Sequence, residues 1–481
     1  MGEGEGPVHI ATTMAILPFA AAAIGALYRE RRLSPERLKE VQAAKLRFLL
    51  EHARSHTTLG KERIGISALP PLDAIPPITK TQLLERFSDS LIDPTISLAE
   101  VEGFVRDRSD YGRLLRGRYV AATTSGTTGK VGYFLTDARS FARQNGALFA
   151  RILRHRLIPR EVIRFCYGRR YRMAMTIAID GRYISRLVGG FSPWLSRALI
   201  QMRLFSIMED RHQTIRALNR YRPHYLHGYP TYLETLAHAQ LQGDLHLEPE
   251  FISLGSEPVS ALAKATLKKA FPMSEISETY GATECLVMAN QCRLGQLHVN
   301  EDFCVLEPVD EQGRPVPPGT QSAKVLVTNL ENLAQPLYRY ELPDSVTLLP
   351  GPCECGAGLS RIRVEGRTDD TFYLSDAVGQ FQAHPPLPFE TLFLNLPGLA
   401  QYQLVHEAQN QLKIRFVREP DAELEPIGRE LARRFAAYLE QSALANTVRY
   451  QVEPVDQIER ETTGHKIRQV WSKVPRPSLY V

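Results

Sequence analysis

The run Thr123-Thr124-Ser125-Gly126-Thr127-Thr128-Gly129-Lys130 is the part of this sequence best suited to hold an anion. Its glycines let the backbone turn tightly and aim amide N–H groups at a phosphate. The hydroxyls add donors and Lys130 adds charge. It is not a Walker-type P-loop, because Thr124 stands where the first glycine belongs and Val131 replaces the magnesium-binding Ser or Thr. Val120-Ala121-Ala122 before it and Tyr133-Phe134-Leu135 after it read as strands, so the loop joins strands instead of opening a helix. A ligand-free hairpin turn would have the same composition.

A second cluster is soft and metal-binding in character. Cys292 and His298 form a Cys-x5-His unit, and Cys353, Cys355 and Gly356 form Cys-x-Cys-Gly. Three thiolates and an imidazole complete a closed tetrahedral set for structural Zn²⁺, and the glycine permits the chain reversal that such a turn needs. Unrelated thiols and a loop histidine are the alternative on spacing alone.

The phosphate loop resembles the signature of the acyl-adenylate-forming superfamily, which includes acyl-CoA synthetases and nonribosomal adenylation domains, and further motifs follow in that superfamily's order. Ser277-Glu278-Thr279-Tyr280-Gly281-Ala282-Thr283-Glu284 looks like its second core motif. The match implies that Tyr280 stacks on adenine beside Gly281, Thr283 touches the α-phosphate and Glu284 holds Mg²⁺. Gly255-Ser256-Glu257-Pro258 resembles the segment lining the adenine pocket. Tyr338-Arg339-Tyr340-Glu341-Leu342-Pro343-Asp344 stands where the superfamily has Tyr-Arg-Thr-Gly-Asp, which implies that Asp344 binds the ribose hydroxyls, although the Thr-Gly pair is missing. Gly366-Arg367-Thr368-Asp369-Asp370 resembles the hinge motif, with Arg367 reaching ribose or phosphate and Asp369 as pivot. Thr463-Gly464-His465-Lys466 resembles the C-terminal motif, with Lys466 as the mobile catalytic lysine.

Leu297-His298-Val299-Asn300-Glu301-Asp302 and the later Cys-x-Cys-Gly look like the phenylacetate–CoA ligase and CapK-type branch, near its relatives that adenylate a deazaflavin coenzyme. Some members of that branch carry zinc here, which implies Cys292, His298, Cys353 and Cys355 as ligands and leaves Cys166, Cys285 and Cys304 as core thiols. In this superfamily an aromatic-rich segment borders the acyl pocket. His227-Gly228-Tyr229 is the candidate, and its rings suit a planar or aromatic acid by stacking and hydrogen bonding. A strand-to-helix turn with packed aromatics reads the same. Tyr171, Arg169 and Arg170 are further candidates without a fixed place.

The implied reaction is attack of a carboxylate on the α-phosphate of ATP, release of pyrophosphate, and capture of the acyl adenylate by CoA, a carrier-protein thiol or another nucleophile. Such chemistry needs fixed donors, a cation and Mg²⁺ more than a base. Transfer of AMP to a phenolic or alcoholic hydroxyl is the rival reaction, and a nucleotide-binding regulatory protein without catalysis is the rival class. Pairing with a second copy of the chain is left open.

These groups need a large scaffold. The 481 residues, 43% hydrophobic and 23% charged, are enough for a substantial core, and the net charge of +5 is too mild to point to nucleic acid. Short apolar strands such as Arg164–Tyr167 and Phe251–Leu254 mix with helices such as Thr231–Gln242, the pattern of an α/β body. Leu33–Arg54 reads as an N-terminal helix, and residues 69–78 as a Pro-rich loop. Strand patterns at Tyr402–Val405, Leu412–Val417 and Val448–Val452, with helical spacing of Leu424, Ile427, Leu431, Phe435 and Leu439, mark a small mobile α+β unit. The expected division is 1–366, an ATP- and acid-binding domain, and 367–481, a lid carrying Lys466. Six cysteines behind an acidic start that does not resemble a secretory leader point to the reducing cytoplasm. The uncharged run Ile10–Leu27 reads as a helix packed on the protein, with peripheral membrane attachment as the alternative.

Overall fold

The computed structural model describes residues 16–107, 113–124, 131–152, 170–177, 187–188, 200–207, 211–257, 259, 261–367, 370–377, 379, 381–384, 389, 392–393, 396–458 and 468–474. Ser125–Lys130, Arg164–Arg169, Thr368, Asp369 and Thr463–Lys466 lie outside the described residues.

The main sheet, among the described residues, has nine strands. Five are parallel: β3 (Tyr171–Ile177), β4 (Ile200–Ser206), β5 (Tyr225–Gly228), β6 (Phe251–Leu254) and β7 (Glu275–Tyr280), in the spatial order β4-β3-β5-β6-β7. Four antiparallel strands extend the sheet beyond β7: β8 (Ala289–Gln291), β9 (Leu297–Val299), β14 (Arg361–Arg367) and β13 (Asp344–Leu349). Crossover segments force parallel pairing and cover the faces, which explains the near-continuous burial of β3 and β6. Smaller units complete the body. β1 (Tyr119–Thr123) and β2 (Tyr133–Asp137) form a hairpin, and β10 (Cys304–Val309), β11 (Lys324–Asn329) and β12 (Tyr340–Leu342) form an antiparallel sheet.

The helices end where local chemistry stops them. α2 (Pro35–His56) starts at Ser34, whose hydroxyl accepts from the Arg37 N–H, with Pro35 in the first turn. α4 (Lys80–Glu85) follows α3 (Thr58–Ile64) and opens with a reciprocal Thr79–Gln82 capping box. α8 (Pro230–Gln242) starts on a proline and ends at Gly243, whose φ of 83° favours glycine. Between them lie α5 (Leu98–Arg106), α6 (Ala138–Ile152) and α7 (Arg211–Tyr221); α9 (Ala261–Ala270) follows.

From Ile16 on, where it is described, the uncharged N-terminal run is a helix packed on the protein. α1 (Ile16–Arg32) buries Ala22 and Ala26 and crosses α6 at Gly146, where an added Cβ would collide with the Phe19 carbonyl. Its outer face shows Leu17, Ile24 and Tyr28 to solvent. No described helix is long and apolar enough to cross a membrane.

A smaller α+β domain forms the C-terminal part. β17 (Leu399–Ala408) pairs antiparallel with β18 (Gln411–Arg418), and β19 (Arg449–Pro454) and β20 (Val470–Ser472) add parallel edges. α10 (Leu424–Gln441) buries Ile427, Leu431, Phe435 and Leu439 on this sheet. Leu424 belongs to the same sequence pattern but sits at the first helical position and stays 43% exposed. The short hairpin of β15 (Phe372–Ser375) and β16 (Phe381–His384) shares the same core through Phe372 and Leu374. This domain touches the body where the Gln401 side-chain amide donates to the Thr231 carbonyl at 3.3 Å and His238 meets the Ala400 carbonyl at 3.2 Å.

Candidate active site

An open cleft lies between one face of the parallel strands and α6. Leu148, Phe149 and Ile152 of α6 form one wall, and Met175, Tyr225 and His227 of the sheet the other. Its mouth is built by Gly255, Ser256, Thr279, Gly281 and Ala282, which follow or end β6 and β7. Ligands of open α/β sheets bind at this carboxyl edge, where the backbone leaves the sheet.

The backbone at the mouth is unusual in places. Ser256 adopts φ 69°, a left-handed conformation that a serine holds only at a cost. Gly255 has no room for a side chain, since a Cβ there would lie 2.8 Å from Thr279 Oγ1 and 3.4 Å from His227 Cε1. Gly281 packs on the Leu286 carbonyl just as tightly. Ala282 and Cys285 exchange backbone hydrogen bonds of 2.9 and 3.2 Å, which closes a turn around the half-buried Thr283 and the buried Glu284.

Three expected nucleotide contacts converge. The Tyr280 hydroxyl donates to Asp344 Oδ2 at 2.7 Å, and Asp344 is the register partner of Arg367 across β13 and β14. Burial pushes the Glu284 carboxyl above its ordinary range; the charge of Lys80 and the Tyr340 hydroxyl oppose the rise, while Asp344 adds to it. A buried carboxyl in this position suits a divalent cation. Lys80 was missed from sequence. It follows the Pro-rich loop, whose last residue makes a single bridge to β12: Ile78 N–H donates to the Arg339 carbonyl and its own carbonyl accepts from Glu341 N–H, both at 3.0 Å. The signal was the capping box that fixes α4 next to it.

The phosphate loop's neck is described although the loop is not. Thr123 pairs with Tyr133, Thr124 N–H donates to the Gly132 carbonyl at 3.0 Å, and Gly132 N–H donates to Thr124 Oγ1 at 2.8 Å. The strands expected on either side of the loop are β1 and β2. Ser125, Gly126, Thr127, Thr128, Gly129, Lys130, Asp369 and Lys466 lie outside the described residues.

The candidate acid-binding segment divides. His227 faces the cleft, but the Tyr229 ring is buried in the core beside Leu233 and Leu236. Gly228 is a packing position, where a Cβ would collide with Thr176 Oγ1. Tyr171 also points inward and stacks on His224 at 5.2 Å. Glu257 caps α8 by accepting from the Thr231 hydroxyl at 2.7 Å and its N–H at 3.3 Å. Burial lowers the His227 pKa to about 4, so the ring is neutral at physiological pH.

The four expected metal ligands meet where the antiparallel strands continue the sheet. Their ligand atoms all lie within 4.8 Å of one another. Cys292 and Cys353 sulfurs are 3.9 Å apart, and Cys355 Sγ is 3.4 Å from His298 Nε2. Tetrahedral zinc at ordinary bond lengths holds two sulfurs about 3.8 Å apart and a sulfur and nitrogen about 3.6 Å apart, so the set fits. His298 Nδ1 contacts the Leu359 carbonyl at 3.0 Å, which turns Nε2 toward the thiols. Backbone N–H groups of Leu294 and Ala357 donate to Cys292 and Cys355 sulfur at 3.4 Å, as suits thiolates. Cys285 and Cys304 are separate core thiols, and their mutual contact together with burial raises the Cys304 pKa.

A sequence profile described as AMP-binding enzyme matches residues 186–334. The chain is 26% identical over 403 residues to a phenylacetate–coenzyme A ligase of Thermus thermophilus, with 79% of each chain covered. Its fold is similar to that of 2-hydroxyisobutyryl-CoA ligase in complex with 2-HIB-AMP, with TM-score 0.69 and 18% identity over 93% of this chain and 91% of that one. It is similar also to an anthranilate CoA ligase with anthranoyl-AMP, with TM-score 0.50 and 16% identity over 72% and 64%. Residues 186–334 thus carry an AMP-binding enzyme domain, and the chain is a homologue of phenylacetate–CoA ligase.

Proposed function

We propose that this protein activates a carboxylic acid with an aromatic ring as its acyl adenylate, releases pyrophosphate, and passes the acyl group to the thiol of CoA. The observation that carries this reading is the meeting of Tyr280, Asp344 and Glu284 at the mouth of an apolar cleft. Adenine and ribose would lie against Tyr280 and Asp344, with Arg367 as a further contact to ribose or phosphate. The acid would enter the cleft, and its carboxylate would stay at the mouth beside Thr283.

The carboxylate attacks the α-phosphorus of ATP, and the bond to the bridging oxygen of pyrophosphate breaks. Charge grows on the phosphate oxygens as this happens, so donors fixed in advance accelerate the step. Loop residues Thr124 to Lys130 supply amide and hydroxyl donors, and Lys466 of the C-terminal lid supplies a cation. Glu284 would hold Mg²⁺, which when bound neutralises phosphate charge. The division into a body of residues 1–366 and a lid of 367–481, pivoting at Asp369, would withdraw Lys466 before thioester formation. The four-residue Cys/His set would hold a structural Zn²⁺ that pins β8 and β9 to the loop before β14.

ATP–pyrophosphate exchange against aryl and alkyl acids tests this reading. An acid-dependent exchange, followed by an acyl-CoA product without AMP attached, is the expected result. A product that retains AMP on a hydroxyl, or ATP binding without pyrophosphate release on any acid, would overturn it.

A further inference from the structure

The inner part of the cleft carries a polar feature that acid activation does not require. His227 Nδ1 lies 3.2 Å from Ser253 Oγ, and the Tyr225 hydroxyl neighbours the same serine. The register of the sheet makes this arrangement. Tyr225 and His227 are two residues apart on β5 and share a face, and Ser253 is the cross-strand partner of His227 on β6. With Nδ1 engaged by Ser253, Nε2 is the ring nitrogen available to the cleft. Tyr225 also lines the cleft, and its ring is fixed by stacking on Phe251 at 5.6 Å with the planes nearly parallel. Both ends of the chain Tyr225–Ser253–His227 therefore face the ligand space.

A chain of hydrogen bonds through Ser253 could run in either direction. When Tyr225 donates to Ser253 and Ser253 to His227 Nδ1, Nε2–H is a donor to the ligand. When the order reverses, Nε2 accepts and the Tyr225 hydroxyl donates. No described residue lining the cleft is charged, and His227 is neutral, so the preferred partner is neutral too. A plain hydrocarbon tail would strip water from both ends and leave them unpaired, which is costly. Ser253 lies two residues before Gly255, and the His227 ring reaches from it toward the mouth, with Cε1 3.4 Å from where a Gly255 Cβ would lie.

We propose that Tyr225, Ser253 and His227 form a relay that selects acids bearing a hydroxyl group on the ring, with Ser253 as the specificity-determining residue at its centre. This rests on the acid-activating reading above. Matched pairs of acids test it in the full-length protein: 4-hydroxyphenylacetate against phenylacetate, and 4-hydroxybenzoate against benzoate, each by ATP–pyrophosphate exchange. The hydroxylated member of at least one pair is expected to have a kcat/KM about 10- to 100-fold higher. Ser253→Ala is expected to bring that ratio close to one, and Ser253→Thr, which keeps the hydroxyl, to retain it. A merely structural serine would lower both acids together and leave the ratio intact. Equal use of both members, or a preference that survives Ser253→Ala, overturns the inference while leaving acid activation standing. Exchange with no acid overturns acid activation and the inference with it.

Discussion

The Tyr280 hydroxyl donates to the Asp344 carboxylate at 2.7 Å, joining the last residue of β7 to the first residue of β13. Two residues that motif order assigns to adenine and ribose thus hold each other in place. Asp344→Asn is expected to raise the KM for ATP about 10- to 100-fold, the worth of a hydrogen bond to a charged group. Tyr280→Phe should cost less, because Asp344 keeps its charge. Exchange assays at varied ATP and at varied acid separate the two, and an equal rise in the KM of the acid would refute the assignment to ribose.

The Cys/His set should bind one zinc ion per chain, measurable by mass spectrometry of the metal in purified protein. Because the ion ties together segments about sixty residues apart in sequence, its loss should loosen the antiparallel strands. Cys353→Ser or Cys355→Ser is expected to abolish binding and lower the melting midpoint by on the order of 10 °C. Burial pushes the Cys355 thiol up to about 11, so the metal must displace a proton there and affinity should fall with acid. Protein that melts identically with and without zinc would sink this assignment.

Much of this was legible in sequence because local chemistry decided it. Periodicity located α2, α10, β17 and β18, and the strand–loop–strand reading of the phosphate loop matches the β1–β2 hairpin. Cysteine spacing found a cluster that closes in space. The acid pocket was read less well. Tyr229 looked like a pocket aromatic, yet the chain leaves the strand after Gly228, and Tyr229, at the N-cap of α8, packs into the core. Tyr225 and Ser253 were overlooked because only sheet register brings them to His227. Lys80 was hidden for a similar reason: nothing local to residues 69–80 shows that this loop pairs with β12.

Glu234 on α8 gives a pH-dependent prediction. Its carboxyl is buried with neither oxygen hydrogen-bonded, and burial pushes its pKa up to about 8. Thr231 and His238, on the same helical face, contact the C-terminal domain at residues 400–401. The native state holds a proton that the unfolded chain releases from about pH 4.5, so stability should fall as pH rises from 4.5 to 8. The loss by pH 8.5 is on the order of 4 kcal/mol. Glu234→Gln should remove this slope and unfold at higher urea than wild type at pH 8.5, with little difference at pH 5. Parallel pH profiles for the two proteins would show that Glu234 is not the group responsible.

The seat of α1 makes the opposite pH prediction. Arg151 of α6 is fully buried and donates to Asn300 Oδ1 at 2.5 Å and Asp302 Oδ1 at 2.6 Å, while Arg29 of α1 donates to the other Asp302 oxygen at 2.6 Å. The Phe303 ring lies within 5.5 Å of both guanidinium groups and 4.6 Å of the Lys45 ammonium. Burial alone would raise the Asp302 pKa, but the two arginines outweigh it and hold the group below the usual carboxylate range. Its contribution is therefore complete above the unfolded pKa near 4 and is lost only as pH falls through the lower folded value. Arg151→Ala strands a buried carboxylate and should cost about 3–5 kcal/mol. Arg29→Ala should cost less, because Arg29 keeps a fifth of its side chain in solvent. Gly146→Leu attacks the same seat by sterics, pushing against Phe19, and should expose α1 to protease without touching the ion pairs. The loss from Arg151→Ala should be largest near pH 8 and shrink toward pH 5, because the stranded carboxyl, freed of its main counter-charge, can take up a proton. A loss that stayed the same from pH 8 to pH 5 would mean that Arg151 is not what holds the charge on Asp302.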